Sequence, residues 1–334
     1  MLKKDVKLFD YCGACTFYLG AIVVTLVCQA FVSVASALLS QSYPDIASNG
    51  DFLTAFMIVI QAANALFIVL FCKVNKVRFD CALACKNDNK PDFRDFVIPP
   101  VCAIVLLFAM YLPTLWYGYF TQYALHISPS YGNVDLTTPS SVAMIVIASV
   151  FMAPVFEESI YRGVLFNGLK KNTTPIKAVL LCALAFMLMH MSPIQVVFQF
   201  SLGCLSAVVM HKTGRLLPCV LLHATANAAA LAIQFEPLSS AVGGGVLWLV
   251  SNVTAAAFIT LALLIAGGAI LFALLRFGYE KSNEGETDAD GQELTPEKIA
   301  VSEARKKDGT MRFFIAISIS GVLFIINLIT MVTG

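Results

Sequence analysis

The chain has 334 residues, length enough for two or three soluble domains, yet only 13% of them are charged, about half the usual globular share. Hydrophobic residues make up 58% and the mean hydropathy is +0.80, which excludes a string of soluble domains and points to a polytopic membrane protein. A net charge of +1 excludes a basic nucleic-acid binder or an acidic disordered tail as the main theme.

A helix needs about 20 apolar residues to cross the hydrocarbon core. Nine stretches qualify, at approximately 17–39, 52–73, 97–118, 141–169, 176–191, 194–211, 215–234, 245–275 and 312–333. The first is too long, and wrongly flanked, for a cleaved signal peptide. The eighth is long and is expected to bend near Gly267 and Gly268. Residues 280–310 are polar and are expected to form a solvated linker, with Pro296 after Thr295 starting a short helix. The expected fold class is therefore all-α, a polytopic transmembrane helical bundle of about eight or nine spans. No internal repeat, phosphate-binding loop or dinucleotide fingerprint interrupts this pattern.

Lysines and arginines orient the bundle. They lie before the first span (Lys3, Lys4, Lys7), between the second and third (Lys73 to Arg94), and between the fourth and fifth (Lys170, Lys171, Lys177). The rest sit between the sixth and seventh (Lys212, Arg215) and around the segment joining the eighth to the ninth (Arg276 to Arg312). The alternate loops, 40–51, 119–140 and 235–244, contain none, and of 22 basic residues only Arg162 lies well inside a span, the others being at or beyond the span ends. This places the amino terminus in the cytoplasm and the carboxyl terminus outside. The absence of a targeting peptide and the compact loops favour a bacterial plasma membrane.

The chain has 10 cysteines, most of them in apolar runs, where a thiol behaves as a small hydrophobe. Cys12 and Cys15 with Cys81 and Cys85 could form a four-thiolate zinc site on the cytoplasmic side, but free thiols near a reducing cytoplasm are the plainer expectation.

Five ionisable residues lie well inside the spans: Glu157, Glu158, Arg162, His190 and His223. A charge at the bilayer centre costs at least ~2.5–3.5 kcal/mol, so each needs a partner or a purpose. At 1.5 Å per residue, Glu157 and His190 each lie roughly 20 Å from the nearest lysine edge, Asn227 roughly 18 Å from Arg215 and His223 roughly 12 Å. Three helices thus carry polar groups to similar depth, in a site that opens toward the cytoplasm. Glu158 and Arg162, four residues apart, can pair on one helix face, which on its own is as well explained as a structural lock. Glu157 is rotated by about 100° and needs other company, with His190 the obvious candidate. A carboxylate beside an imidazole can take a proton from water and return it to a leaving amine.

The order EExxxR (Glu157-Glu158 to Arg162), FxxxH (Phe186 to His190) and HxxxN (His223 to Asn227) resembles the CPBP intramembrane proteases. That family includes the CAAX prenyl endopeptidases and the bacteriocin-processing or self-immunity proteins of the Abi group. The stretch Gly203 to Pro218 is also similar. The resemblance spans about residues 140–235, so a core at 141–235 is expected, preceded by three helices in 1–140 and followed by transmembrane helices and the linker in 236–334. It implies a glutamate-dependent endopeptidase with no metal or other cofactor. Glu157 would activate water with His190 assisting, His223 and Asn227 would stabilise the oxyanion, and Glu158 and Arg162 would support the site. Phe186 would pack the helix. The implied partners are membrane lipid and a peptide or lipidated protein substrate, with no nucleic acid.

Two other functions compete. Glu, His and His are zinc-type ligands, so a zinc metallopeptidase is a second enzyme class, although no HExxH is present and the histidines come from separate helices. Intramembrane carboxylates and histidines also serve proton relays, so a transporter, or a non-proteolytic immunity or scaffold protein, is the third possibility.

Overall fold

A computed structural model describes residues 10–46, 49–77, 92–124, 126, 136–279 and 296–333. Every regular element among the described residues is helical. In chain order they are α1 (Tyr11–Leu39), α2 (Gly50–Val74), α3 (Phe93–Ala124), α4 (Pro139–Lys170) and α5 (Pro175–Met189). There follow α6 (Val196–Thr213), α7 (Leu216–Ala232), α8 (Leu238–Ser251), α9 (Val253–Gly278) and α10 (Pro296–Thr333). Seven helices among the described residues are long and apolar enough to cross a membrane, and α5, α7 and α8 are shorter apolar helices. The protein is an integral membrane helical bundle.

Local chemistry sets the helix starts. The Asp10 side chain accepts from Gly13 N at 2.7 Å and Asn49 from Phe52 N at 2.9 Å, each satisfying an amide that the first helical turn leaves open. Thr138 does the same for Ser141 N at 3.2 Å, with Pro139 at the first helical position. Between α6 and α7 the chain turns at Gly214, whose φ of 62° is open to a residue without a Cβ, and Gly214 N closes the helix on Met210 O at 2.9 Å.

Three expectations are corrected. The eighth apolar run is two helices broken at Ser251 and Asn252, and α9 continues through Gly267 and Gly268. Gly267 serves contact instead of a bend: a Cβ there would lie 2.5 Å from that of Ala109 on α3. A helix does start at Pro296, as expected, but it is not short and 296–310 is not linker: the segment is the first part of a helix continuous with the last span. It is tied to the start of α1 by the ion pair of Arg305 with Asp10 at 2.6 Å and by Arg312 donating to Thr16 Oγ1 at 2.5 Å, while Arg312 also pairs with Asp308 within the helix at 2.6 Å. The fifth span ends earlier than expected, at Met189.

Helix α4 is central, packing on α1, α2, α5, α6 and α7. The core runs between these helices through Phe17, Tyr18, Tyr161, Phe186, Leu205 and Leu222. Outward faces are apolar too, with Phe31, Phe108, Phe258 and Phe272 exposed, as suits a surface whose solvent is lipid. Asp95 at the start of α3 is fully buried and receives Arg215 from the α6–α7 turn at 2.6 Å.

Candidate active site

Helix α4 is not a regular α-helix. Val146–Met152 and Ser159–Phe166 are wound as π-helix, a geometry often found at functional sites. Carbonyls of these wider turns are picked up by side chains: Ser149 O accepts from Asn227 Nδ2 at 2.7 Å, Tyr161 O from the Cys182 thiol at 3.3 Å, and Arg162 O from Asn167 Nδ2 at 3.1 Å. Glu157 and Glu158 lie on the α-helical turn between the two stretches.

The two glutamates occupy different surroundings. Glu158 is fully buried, and both of its oxygens are engaged. Oε1 accepts from Arg162 NH1 at 2.9 Å and from His223 Nδ1 at 2.8 Å, and Oε2 accepts from the Ser206 hydroxyl at 2.7 Å. Arg162 also donates from NH2 to Gly203 O at 3.0 Å, and its guanidinium carbon lies 4.5 Å from the centre of the Phe186 ring. Gly203 also lets α6 pack closely on α5, since a Cβ there would lie 2.9 Å from the Ala183 backbone. The opposite charges of Arg162 and Glu158 hold each other in the interior with hydrogen bonds on several sides, while Arg162 Nε is buried without a partner.

Glu157 is the open one. Its side chain keeps 13% of its surface accessible and that of His190 21%, against 0% for Glu158 and Arg162. Glu157 Oε1 accepts from Gln61 Nε2 of α2 at 3.1 Å, and Oε2 lies 3.9 Å from His190 Nε2. The latter separation is too long for a direct hydrogen bond.

His190 sits at the C-terminal end of α5, not inside a helix. Ser192 precedes Pro193 and is extended, as a residue before proline prefers, and Met191 takes a φ of 47°. The His190 amide turns back to Met187 O at 3.2 Å, while its ring Nδ1 bonds Phe186 O at 2.9 Å. A carbonyl can only accept, so Nδ1 carries the hydrogen and Nε2 of the neutral ring presents a lone pair toward Glu157. Asn327 of α10 donates from Nδ2 to Met191 O and ties the turn that carries His190 to that helix.

Of the six sequence-derived residues, Arg162, His190 and His223 surround the Phe186 ring, with the two imidazoles 4.8 Å and 5.6 Å away, centre to centre. Glu157 stands with His190, Glu158 with Arg162 and His223, and Asn227 apart from both sets on Ser149 O. His223 does not stand free: a carboxylate only accepts, so its Nδ1 carries the hydrogen, and Nε2 of the neutral ring is an acceptor. Asn227 spends one amide hydrogen on Ser149 O and has a second to give.

Gln61 and Asn327 carry no charge and stand in none of the three motifs, so the sequence does not single them out. Their signal was a primary amide inside an apolar span. Among the described residues, no three His, Cys, Asp or Glu side chains are grouped as a metal site. Cys12 lies 3.6 Å from Asp308 and Cys15 is buried, both free thiols, while Cys81 and Cys85 lie outside the described residues. No curated protein and no solved structure matches the chain. Residues 139–229, which hold all six motif residues, match the family model described as Type II CAAX prenyl endopeptidase Rce1-like, within the CAAX protease family that the motifs resemble.

Proposed function

We propose that this protein is an intramembrane endopeptidase that cleaves a membrane-associated or lipidated peptide with a water activated by Glu157. The observation that carries the reading is the 3.9 Å between Glu157 Oε2 and His190 Nε2, in the accessible part of the cluster. An ionised carboxylate and a neutral Nε2 are both acceptors and cannot bond each other. A water between them can donate one hydrogen to each, leaving its lone pairs for an electrophile. Glu157 takes a proton as the water oxygen attacks the scissile carbonyl carbon, and the carbonyl pair moves onto oxygen. The second amide hydrogen of Asn227 is the donor best placed by chemistry for that oxyanion, and His223 would join only when doubly protonated. Collapse expels the amine, which takes the proton back from Glu157.

The working core is 141–235, in which Glu158 and Arg162 hold α4 against α6 through Ser206 and Gly203 and against α7 through His223. The site faces the cytoplasm, because Lys170, Lys171, Lys177, Lys212 and Arg215 end the helices that carry it. A prenylated peptide with a C-terminal CAAX sequence is the substrate class the family match supports first.

The test uses full-length protein in lipid nanodiscs with a farnesylated CAAX peptide and an unbiased peptide library. Glu157→Ala and His190→Ala should each lower the cleavage rate by about 10²–10⁴-fold. Wild-type cleavage by both variants would reject the assignment.

A further inference from the structure

Gln61 lies on α2, well outside the matched segment. It is 8% exposed, its Nε2 donates to Glu157 Oε1 at 3.1 Å, and its Oε1 is buried without a hydrogen-bond partner. Asn64, three residues on and on the same helix face, is 1% exposed and likewise has an unpartnered Oδ1. Buried acceptors are almost always satisfied in folded proteins, so an amide carbonyl left open beside a reactive carboxylate asks for a donor that arrives later.

We propose that Gln61 completes the hydrolytic site: its amide N–H holds Oε1 of Glu157, leaving Oε2 to take the water's proton, and its carbonyl accepts a main-chain N–H of the bound peptide. The inference rests on the reading of Glu157 given above. A carboxylate turns freely about its last torsion, whose distribution is broad and two-fold, so nothing in Glu157 itself decides which oxygen meets the water. A donor fixed on one oxygen removes that ambiguity. The peptide brings amide hydrogens into a low-dielectric site where each needs an acceptor. Glu157 Oε2 and His190 Nε2 are committed to the water, and the Gln61 carbonyl is an open acceptor on the side chain that touches Glu157 directly.

The experiment compares wild type, Gln61→Met and Glu157→Ala, full length in nanodiscs. The probe is the farnesylated CAAX peptide or, if that is refused, the best-cleaved library sequence. Each probe is also made with one main-chain amide at a time replaced by an ester, which deletes a single N–H. Methionine keeps the length of glutamine, removes both amide functions, and suits a membrane helix better. We expect kcat to fall about tenfold in Gln61→Met with the melting temperature equal or higher. One ester analogue should raise KM about tenfold for wild type and leave it unchanged for Gln61→Met. Wild-type kcat and KM in Gln61→Met, or the same ester penalty in both proteins, overturns the proposal. A lower melting temperature with kcat intact also overturns it, because it marks an amide that only joins two helices. Gln61→Leu replaces Gln61→Met if the latter does not fold. Cleavage by Glu157→Ala instead defeats the glutamate mechanism itself, and is read separately.

Discussion

Replacing Arg162 by methionine removes the one full positive charge in contact with Glu158. The guanidinium is fully buried, holds Glu158 at 2.9 Å and Gly203 O at 3.0 Å, and covers the Phe186 ring at 4.5 Å. In Arg162→Met, Glu158 keeps Ser206 and His223 but remains an uncompensated charge in the interior. Removing one partner of a buried ion pair typically costs about 3–5 kcal/mol. Removing both is cheaper, because no charge is then left behind, so Arg162→Met with Glu158→Gln should recover at least ~2 kcal/mol of that loss. Reversible unfolding in mixed micelles, followed by circular dichroism for the four proteins of the cycle, measures both quantities. A loss below about 1 kcal/mol in Arg162→Met, or single effects that add within ~0.5 kcal/mol, would refute the assignment of a mutually compensating pair.

Asn227→Ala should lower kcat by about 10²–10³-fold with little change in KM, measured on the cleaved peptide, because it deletes the oxyanion donor and its anchor on Ser149 O together. An effect confined to KM would assign Asn227 to substrate binding. Asn327→Leu should lower kcat by roughly tenfold or more while the melting temperature changes little, since a misplacement of about 1 Å can cost 10²-fold. Unchanged kcat would mean that the Met191 turn holds His190 without help from α10. Gly203→Val should destabilise the bundle by about 1–3 kcal/mol, read by the same micelle unfolding, because its Cβ meets the Ala183 backbone, which cannot swing aside. Wild-type stability there would show that α5 and α6 can separate freely.

Most of the bundle was legible because lipid imposes long apolar runs, and the cores of α1 to α4, α6 and α7 were found to within a few residues. The end of α5 was not. Its turn places Met191 at positive φ, where sequence would lead one to expect glycine or asparagine, so the apolar run seemed to continue through His190. The break between α8 and α9 was likewise hidden in an apolar run, with only the adjacent polar pair Ser251 and Asn252 as a signal. For the site, the i,i+4 rule located Glu158 and Arg162, and elimination gave Glu157 its neighbour His190. What spacing could not reveal is that a fully buried Glu158 has room for several donors and draws His223 and Ser206 as well. The amides Gln61 and Asn327 carry no charge, and a reading based on the cost of charge in lipid passes over them.

The bond from Asn327 to Met191 links residues 136 apart in the chain. Synthesis and insertion proceed from the amino end, so every motif residue enters the bilayer well before α10 emerges from the ribosome. A nascent chain stalled after α9 would display the full EExxxR, FxxxH and HxxxN series and still lack the brace on the loop that carries its histidine. On the function proposed above, the turn that carries His190 gains this brace only when translation has almost finished.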